Sequence, residues 1–233
     1  MEEVRFRSIV PGLECLSDVT LPRHRHLRAY ATVVVSGTFE ESSYAGRVRA
    51  TAGDVLVHPD LDAHANHSVS STVRLIRLPW LDRNGIGSLR HVDDLDEFVR
   101  VAERDVHEAG ALLVDVLNAG PQGCAGEQND WPDRLAGDLA RNPSTSLGTW
   151  ADCHGLARET VSRGFTKAYG IAPEVFRAEL RTKAAWFRVT HESERLGIIA
   201  AETGFADQAH MSRWVHRLTG LSPSAWRRKA CLA

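Results

Sequence analysis

The chain repeats itself. Residues 162–177 lie over residues 212–227 without a gap, at an offset of 50. Ser162/Ser212, Arg163/Arg213, Gly170/Gly220, Pro173/Pro223 and Arg177/Arg227 are identical pairs, and Lys167/Arg217, Ile171/Leu221 and Phe176/Trp226 keep their chemistry. Upstream, Ala151 and Gly155 match Ala200 and Gly204 at an offset of 49, so one turn is a residue longer. A segment present twice has to satisfy one local fold twice. Each copy reads as a short helix, a tight turn at Gly155 or Gly204, a second helix of about three turns, then Gly-x-x-Pro. Gly170 and Gly220 suit the position just past a helix end, and Pro173 and Pro223 the first helical position. Asp207 is a good N-cap.

Two copies are few for a solenoid, which needs about three or more. Two helix-turn-helix units on one spacer helix, residues 173–190, are the better reading. Such a pair can place recognition helices in successive major grooves, roughly 34 Å apart. Charge supports it. Residues 145–233 hold 13 Lys and Arg against 8 Asp and Glu, and the rest of the chain 15 against 22. The overall −2 therefore hides a basic C-terminal part, which suits a polyanion, behind an acidic body.

The first eighty residues have a different texture. Short apolar runs at 4–10, 30–35, 47–51, 55–58 and 73–78 are set off by Gly, Pro, Asp and Asn, the pattern of an antiparallel sandwich or barrel. From Val92 the apolar residues take helical spacing. Leu95, Val99, Ala102, Val106, Ala109, Leu113 and Val116 form a heptad stripe, which fits either a helix packed on the barrel or a coiled dimer contact. Residues 121–130, rich in Gly and polar groups, read as a linker. Beyond it the pattern is helical throughout, with helices expected at 131–141, 147–153, 158–169, 173–190, 196–202, 207–219 and 223–229. No apolar stretch approaches the ~20 residues of a membrane span. The charged N-terminus gives no expectation of a secretory signal. Cys15, Cys124, Cys153 and Cys231 are scattered without a Cys-x-x-Cys pair, as reduced thiols would be.

The run Gly204-Phe205-Ala206-Asp207-Gln208-Ala209-His210-Met211-Ser212-Arg213, followed by Gly220-Leu221-Ser222-Pro223 and Trp226-Arg227, resembles the hallmark of AraC/XylS-type transcription regulators. The resemblance covers about residues 131–229. It implies a cytoplasmic regulator that binds promoter DNA through two helix-turn-helix units and senses a small molecule through its other domain. The first unit departs from the family pattern. Ala157 stands where a capping Ser is usual, and the acidic Glu159 where a DNA-facing residue is expected. The second unit is therefore expected to make the stronger contacts. Helix geometry divides the faces. Val161 and Phe165 should be core, leaving Arg158, Glu159, Ser162 and Arg163 outward. Met211 and Val215 should be core, leaving Gln208, Ala209, Ser212 and Arg213 outward. Arg pairs bidentately with guanine and Gln with adenine, at about 1–3 kcal/mol of discrimination each. The same face can grip phosphate without reading sequence, and Arg163 and Arg213 fit either that or a structural ion pair. Lys167, Arg177, Arg217, Arg227 and Arg228 read as phosphate neighbours or solvated charges.

His24-x-His26, Gly37 at a strand end, and Gly53-Asp54 leading through Pro59 to His64 resemble the two cupin motifs in order, over about residues 20–70. That implies a small β-barrel. In metal-binding cupins a His-x-His pair, a Glu and a later His hold the ion. His24, His26 and His64 match; residues near Tyr30 replace the Glu, and Pro59-Asp60-Leu61 lacks the usual Gly. Alternation on a strand puts both rings of His-x-His on one face, which suits zinc or iron. The competing reading, which we prefer, makes these histidines remnants that are hydrogen-bonded or touch an effector, with no metal and no cofactor.

The expectation is an α+β chain. A cupin-like β-barrel at 1–82 senses an effector. A helical linker at 83–130 carries a possible dimerisation helix. An all-α tandem helix-turn-helix domain at 131–233 binds double-stranded promoter DNA. The whole is expected to be a homodimeric, cytoplasmic regulator and not an enzyme. The alternative is a metal-dependent cupin enzyme with an accessory helical domain.

Overall fold

The computed structural model describes residues 10–80, 89–119 and 130–231. The strand expected at 4–10, the boundary at 82 and the linker at 121–130 fall almost wholly outside them. The chain divides into two compact units between Asp133 and Arg134.

Among the described residues, the first unit holds nine strands and two helices. The strands are β1 (Gly12–Ser17), β2 (Thr20–Arg25), β3 (Tyr30–Ser36), β4 (Phe39–Ser43), β5 (Gly46–Ala50), β6 (Asp54–His58), β7 (Ala63–Ser68), β8 (Thr72–Pro79) and β9 (Leu89–His91). They make two separate antiparallel sheets, ordered β1-β8-β3-β6-β9 and β2-β7-β4-β5. The β-rich domain expected from the cupin resemblance is present, but as two open sheets, not one closed barrel.

Period-two alternation on the five-stranded sheet fills two cores. Ala31, Val33, Val55, Val57, Ile76 and Leu78 point to one face, where they pack with Phe98, Ala102, Ala109 and Leu113. Val34, Leu56, Val73 and Leu75 point to the other, against Phe39, Val48 and Ala50 of the four-stranded sheet. This central sheet is thus apolar on both faces. Gly37 makes the turn out of β3 with φ +84°, and a Cβ there would stand 2.4 Å from the Thr72 carbonyl oxygen. Only glycine fits.

The heptad stripe belongs to two helices, α1 (Leu95–Arg104) and α2 (Val106–Ala119), not one. Asp105 between them is extended (φ −152°, ψ 112°). Its carboxylate accepts from the backbone N–H of His107 (2.7 Å) and of Glu108 (3.3 Å), so it starts the second helix as it ends the first. The stripe's Ala102, Ala109 and Leu113 are buried against the sheet. That matches the packed-helix reading and uses the same residues that a coiled contact would need.

The second unit is helical: α3 (Trp131–Arg141), in which the division between units falls, then α4 (Leu147–Cys153), α5 (Arg158–Tyr169), α6 (Pro173–His191), α7 (Leu196–Glu202), α8 (Gln208–Thr219) and α9 (Pro223–Ala230). The repeat folds as a repeat. Gly155 and Gly204 make the turns with φ +64° and +77°, and Gly170 and Gly220 close α5 and α8 with φ +72° and +76°. Phe165, Tyr169 and Phe176 pack as a ring cluster in the first copy, and Trp186 meets Trp226 edge-on in the second. No described helix is long and apolar enough to cross a membrane. Cys15, Cys153 and Cys231 are free and exposed; Cys124 lies outside the described residues.

Candidate nucleic-acid interface and buried histidine cluster

The two recognition helices present the faces their spacing predicts. Val161 and Phe165 on α5, and Met211 and Val215 on α8, are buried. Arg158, Glu159, Ser162 and Arg163 are exposed on α5, as are Gln208, Ala209 and Arg213 on α8; Ser212 is half-buried. Neither Arg163 nor Arg213 carries an ion pair among the described residues, so their recurrence is not explained by a salt bridge. The helices differ at their starts. Asp207 accepts the His210 N–H at 2.6 Å, whereas Ala157 offers no side-chain cap. Arg158 and Gln208 thus stand exposed at the two helix starts, side chains suited to phosphate and base edges.

Two other repeated arginines turn out to be structural. Arg177 donates to the Thr145 carbonyl (3.0 Å) and Arg227 to the Glu194 carbonyl (2.7 Å). Thr145 and Glu194 stand just before α4 and α7, at the same offset of 49 as the upstream repeat. The same bond is thus made twice, fastening the helix after each recognition helix to the start of its own unit. Arg177 and Arg227, expected as phosphate neighbours or solvated charges, are each also tied to a backbone carbonyl. Arg217 lies over the Trp214 ring at 5.0 Å, and Trp214 Nε1 donates to His210 Nε2 at 3.1 Å. The His210–Trp214 pair was not singled out from sequence, although its i,i+4 spacing was visible.

In the first unit, register gathers the histidines. His24 on β2 is directly opposite His64 on β7. Tyr30 on β3 is directly opposite His58 on β6, their rings stacked at 4.2 Å. One pair comes from each sheet. His26, just past β2, completes a triangle in which the ring centres of His24, His26 and His64 are 4.5–5.3 Å apart. All three predicted residues are buried and brought together. Sequence reasoning missed Glu41, His58, Asp62 and Asn66. His58 ends β6 and points the same way as Leu56.

At the position of the absent cupin Glu, the Tyr30 hydroxyl bonds His64 Nε2 at 3.2 Å. Leu61, where the motif has Gly, still takes the left-handed conformation (φ +58°) while its side chain is fully buried. Arg25 donates to its carbonyl (2.9 Å) and to the Tyr44 hydroxyl (3.0 Å), which holds the turn. The three imidazoles His24, His26 and His64 can each offer a nitrogen within 4.8 Å of the others, so they fit a metal; Tyr30 stands where the cupin set has its carboxylate.

Burial governs the protonation of this cluster. It raises the Glu41 carboxyl to about 7, against the pull of His58. Burial also lowers the His58 imidazole, but the charge of Glu41 and the Asp62 hydrogen bond outweigh it, and its pKa rises. His64, deeper in effect, is held well below the ordinary range by burial. The cavity between the sheets, lined by Tyr30, Glu41, His64 and Arg77 among others, is about 20 Å³, room for a water-sized guest.

Comparison with known proteins places the helical unit. A family model described as a helix-turn-helix domain matches residues 150–229. Among solved structures, the chain is similar to a transcriptional regulator with an AraC-type DNA-binding domain from Chromobacterium violaceum (21% identity, 41% of this chain and 88% of that one, TM-score 0.38). It is similar to the C-terminal domain of AraT, a response regulator from Geobacillus stearothermophilus (18% identity, 44% and 88%, TM-score 0.41). It is also similar to ToxT from Vibrio cholerae, in a structure with unsaturated fatty acid bound (12% identity, 94% of each chain, TM-score 0.38). None of the curated proteins matches it. The helical unit of this chain therefore contains a helix-turn-helix domain.

Proposed function

We propose that the chain is a one-component regulator: the β-rich unit takes a small-molecule effector, and the helical unit reads promoter DNA. Arg158, Glu159, Ser162 and Arg163 of α5, and Gln208, Ala209, Ser212 and Arg213 of α8, are the groups that meet DNA in this reading. The α8 set makes the stronger contacts, because Arg213 and Gln208 can read base edges from a capped helix while Glu159 repels phosphate from α5. The carrying observation is the double unit itself, with buried inner faces and two recurrent exposed arginines that have no ion-pair partner among the described residues. His24, His26 and His64 are the proposed effector contacts. The regulator works in the cytoplasm as a homodimer and carries out no catalysis. Effector binding shifts the population of DNA-competent molecules.

The test is to map genomic DNA fragments bound by the purified chain and by Arg213→Ala. A shared motif that is lost in the variant supports the reading. Binding without any enriched motif, equal in both proteins, leaves only charge attraction and overturns it. An added compound that changes occupancy of those fragments identifies the effector.

A further inference from the structure

A second group of ligand atoms lies beside the cupin-like histidines. Glu41, His58 and His64 come from β4, β6 and β7, hence from both sheets, and each can offer one donor atom within 4.8 Å of the other two. All three are buried, at 4, 3 and 2% exposure. We propose that Glu41, His58 and His64 bind one divalent first-row transition-metal ion between the sheets.

Three observations carry this. The first is spacing. Glu41 Oε1 lies 3.7 Å from His58 Nδ1, and Glu41 Oε2 lies 4.0 Å from His64 Nε2. Both gaps are too long for hydrogen bonds. Both are within the span of about 4.2 Å that two ligands can reach across an ion at roughly 2.0–2.2 Å from each. The second is support around the ligands. Asn66 Nδ2 donates to Glu41 Oε2 at 2.9 Å. Asp62 Oδ2 lies 3.1 Å from His58 Nδ1 and 3.6 Å from His64 Nδ1, and the latter nitrogen is buried without a hydrogen-bond partner. At His64 this carboxylate faces the ring nitrogen other than the one turned to Glu41, the arrangement that orients a metal-ligating histidine; at His58 the ion takes over the nitrogen that Asp62 now holds. The third is size. The adjoining cavity, about 20 Å³, has room for an ion or a water.

Two imidazoles and one carboxylate suit zinc and ferrous iron. To bind, the ion takes over the His64 nitrogen that the Tyr30 hydroxyl now holds. The site differs from the three-histidine set of the cupin pattern, sharing only His64 with it. It does not rest on the regulatory reading, because it is tested by metal content alone.

The full chain is stripped with a chelator and titrated with Zn²⁺ and, as a visible probe, with Co²⁺. One equivalent per folded chain is expected. Glu41→Gln and His58→Gln should each weaken binding at least tenfold, while His24→Gln binds like the parent. X-ray absorption of the zinc-loaded parent should show two imidazoles and one carboxylate oxygen, a readout that stands even if the variants do not fold. No bound metal in the folded parent overturns the proposal. So does a three-imidazole spectrum, or loss of binding in His24→Gln with His58→Gln unaffected.

Discussion

Leu61 sets two costs against each other. A left-handed backbone costs a branched residue about 1–2 kcal/mol, which glycine would avoid. Its side chain is fully buried, and deleting such a Leu costs roughly 3–5 kcal/mol. Burial should win: Leu61→Gly is expected to lower stability by about 2 kcal/mol in urea unfolding, although it restores the residue the motif usually has there. A net gain would show that the turn is more strained than its φ implies. Caps give a cleaner contrast in the helical unit. Asp207→Ala should cost about 1 kcal/mol, because the His210 N–H loses its acceptor. Ala157→Ser should gain up to about 1 kcal/mol, because the same position in the first copy has no side-chain cap. Both are read as changes in melting temperature. Ala157→Ser giving no gain would mean that serine cannot reach the α5 N–H groups from that backbone. This asymmetry was legible beforehand, since it depends only on which residue precedes each helix.

At the scale of elements, legibility followed burial. Strands β3, β6 and β8 lie in a sheet covered on both faces, so they are near-continuous apolar runs, and sequence marked them within a residue or two. Strands β2, β4 and β7 turn one side to the polar cluster, as in Thr20–Arg25 and Ala63–Ser68, so they carry no continuous apolar run. The missed Glu41 and Asn66 sit on such strands, which is why half of the histidine cluster escaped notice. The helices of the second unit were recovered to within a residue, because their boundaries are written in Gly, Pro and Asp. The stripe on α1 and α2 gave the right periodicity and the wrong continuity. One Asp side chain at 105 outweighed the helical pattern by capping α2. Replacing the buried Leu113 by Asp should abolish cooperative unfolding of the β-rich unit, because the charge would enter the core shared by helix and sheet. Retained native melting would place that stripe on a surface instead.

For the whole molecule, the informative quantity is how charge and repeat divide. The basic part of the chain coincides with the doubled helix-turn-helix unit, and the acidic part contains the sheets. If about five cations of the helical unit neutralise phosphates, log affinity should fall with log salt at a slope of about −4.5. Arg213→Ala should lose roughly 10- to 100-fold on the specific site. Lys167→Ala should weaken specific and non-specific binding alike, by reducing the salt slope by about one. Both are measured by titrating labelled DNA at several salt concentrations. An unchanged affinity in Arg213→Ala would move the contact to other residues of α8.

The sequence by itself determined the helical unit. Its signals are local: a glycine at positive φ, a proline at a helix start, an apolar residue every third or fourth place, and all of them printed twice. Even there, tertiary structure decided which repeated arginines were available. Arg177 and Arg227 reach back to carbonyls 32 and 33 residues away, and no local pattern reports such a bond. In the β-rich unit, tertiary structure decided more. The pairings His24 with His64 and Tyr30 with His58 are set by strand register, and the approach of Glu41 to both imidazoles is set by how two sheets stack. Register and stacking are settled by burial summed over many residues, so a polar site between two sheets takes form only when the whole unit does.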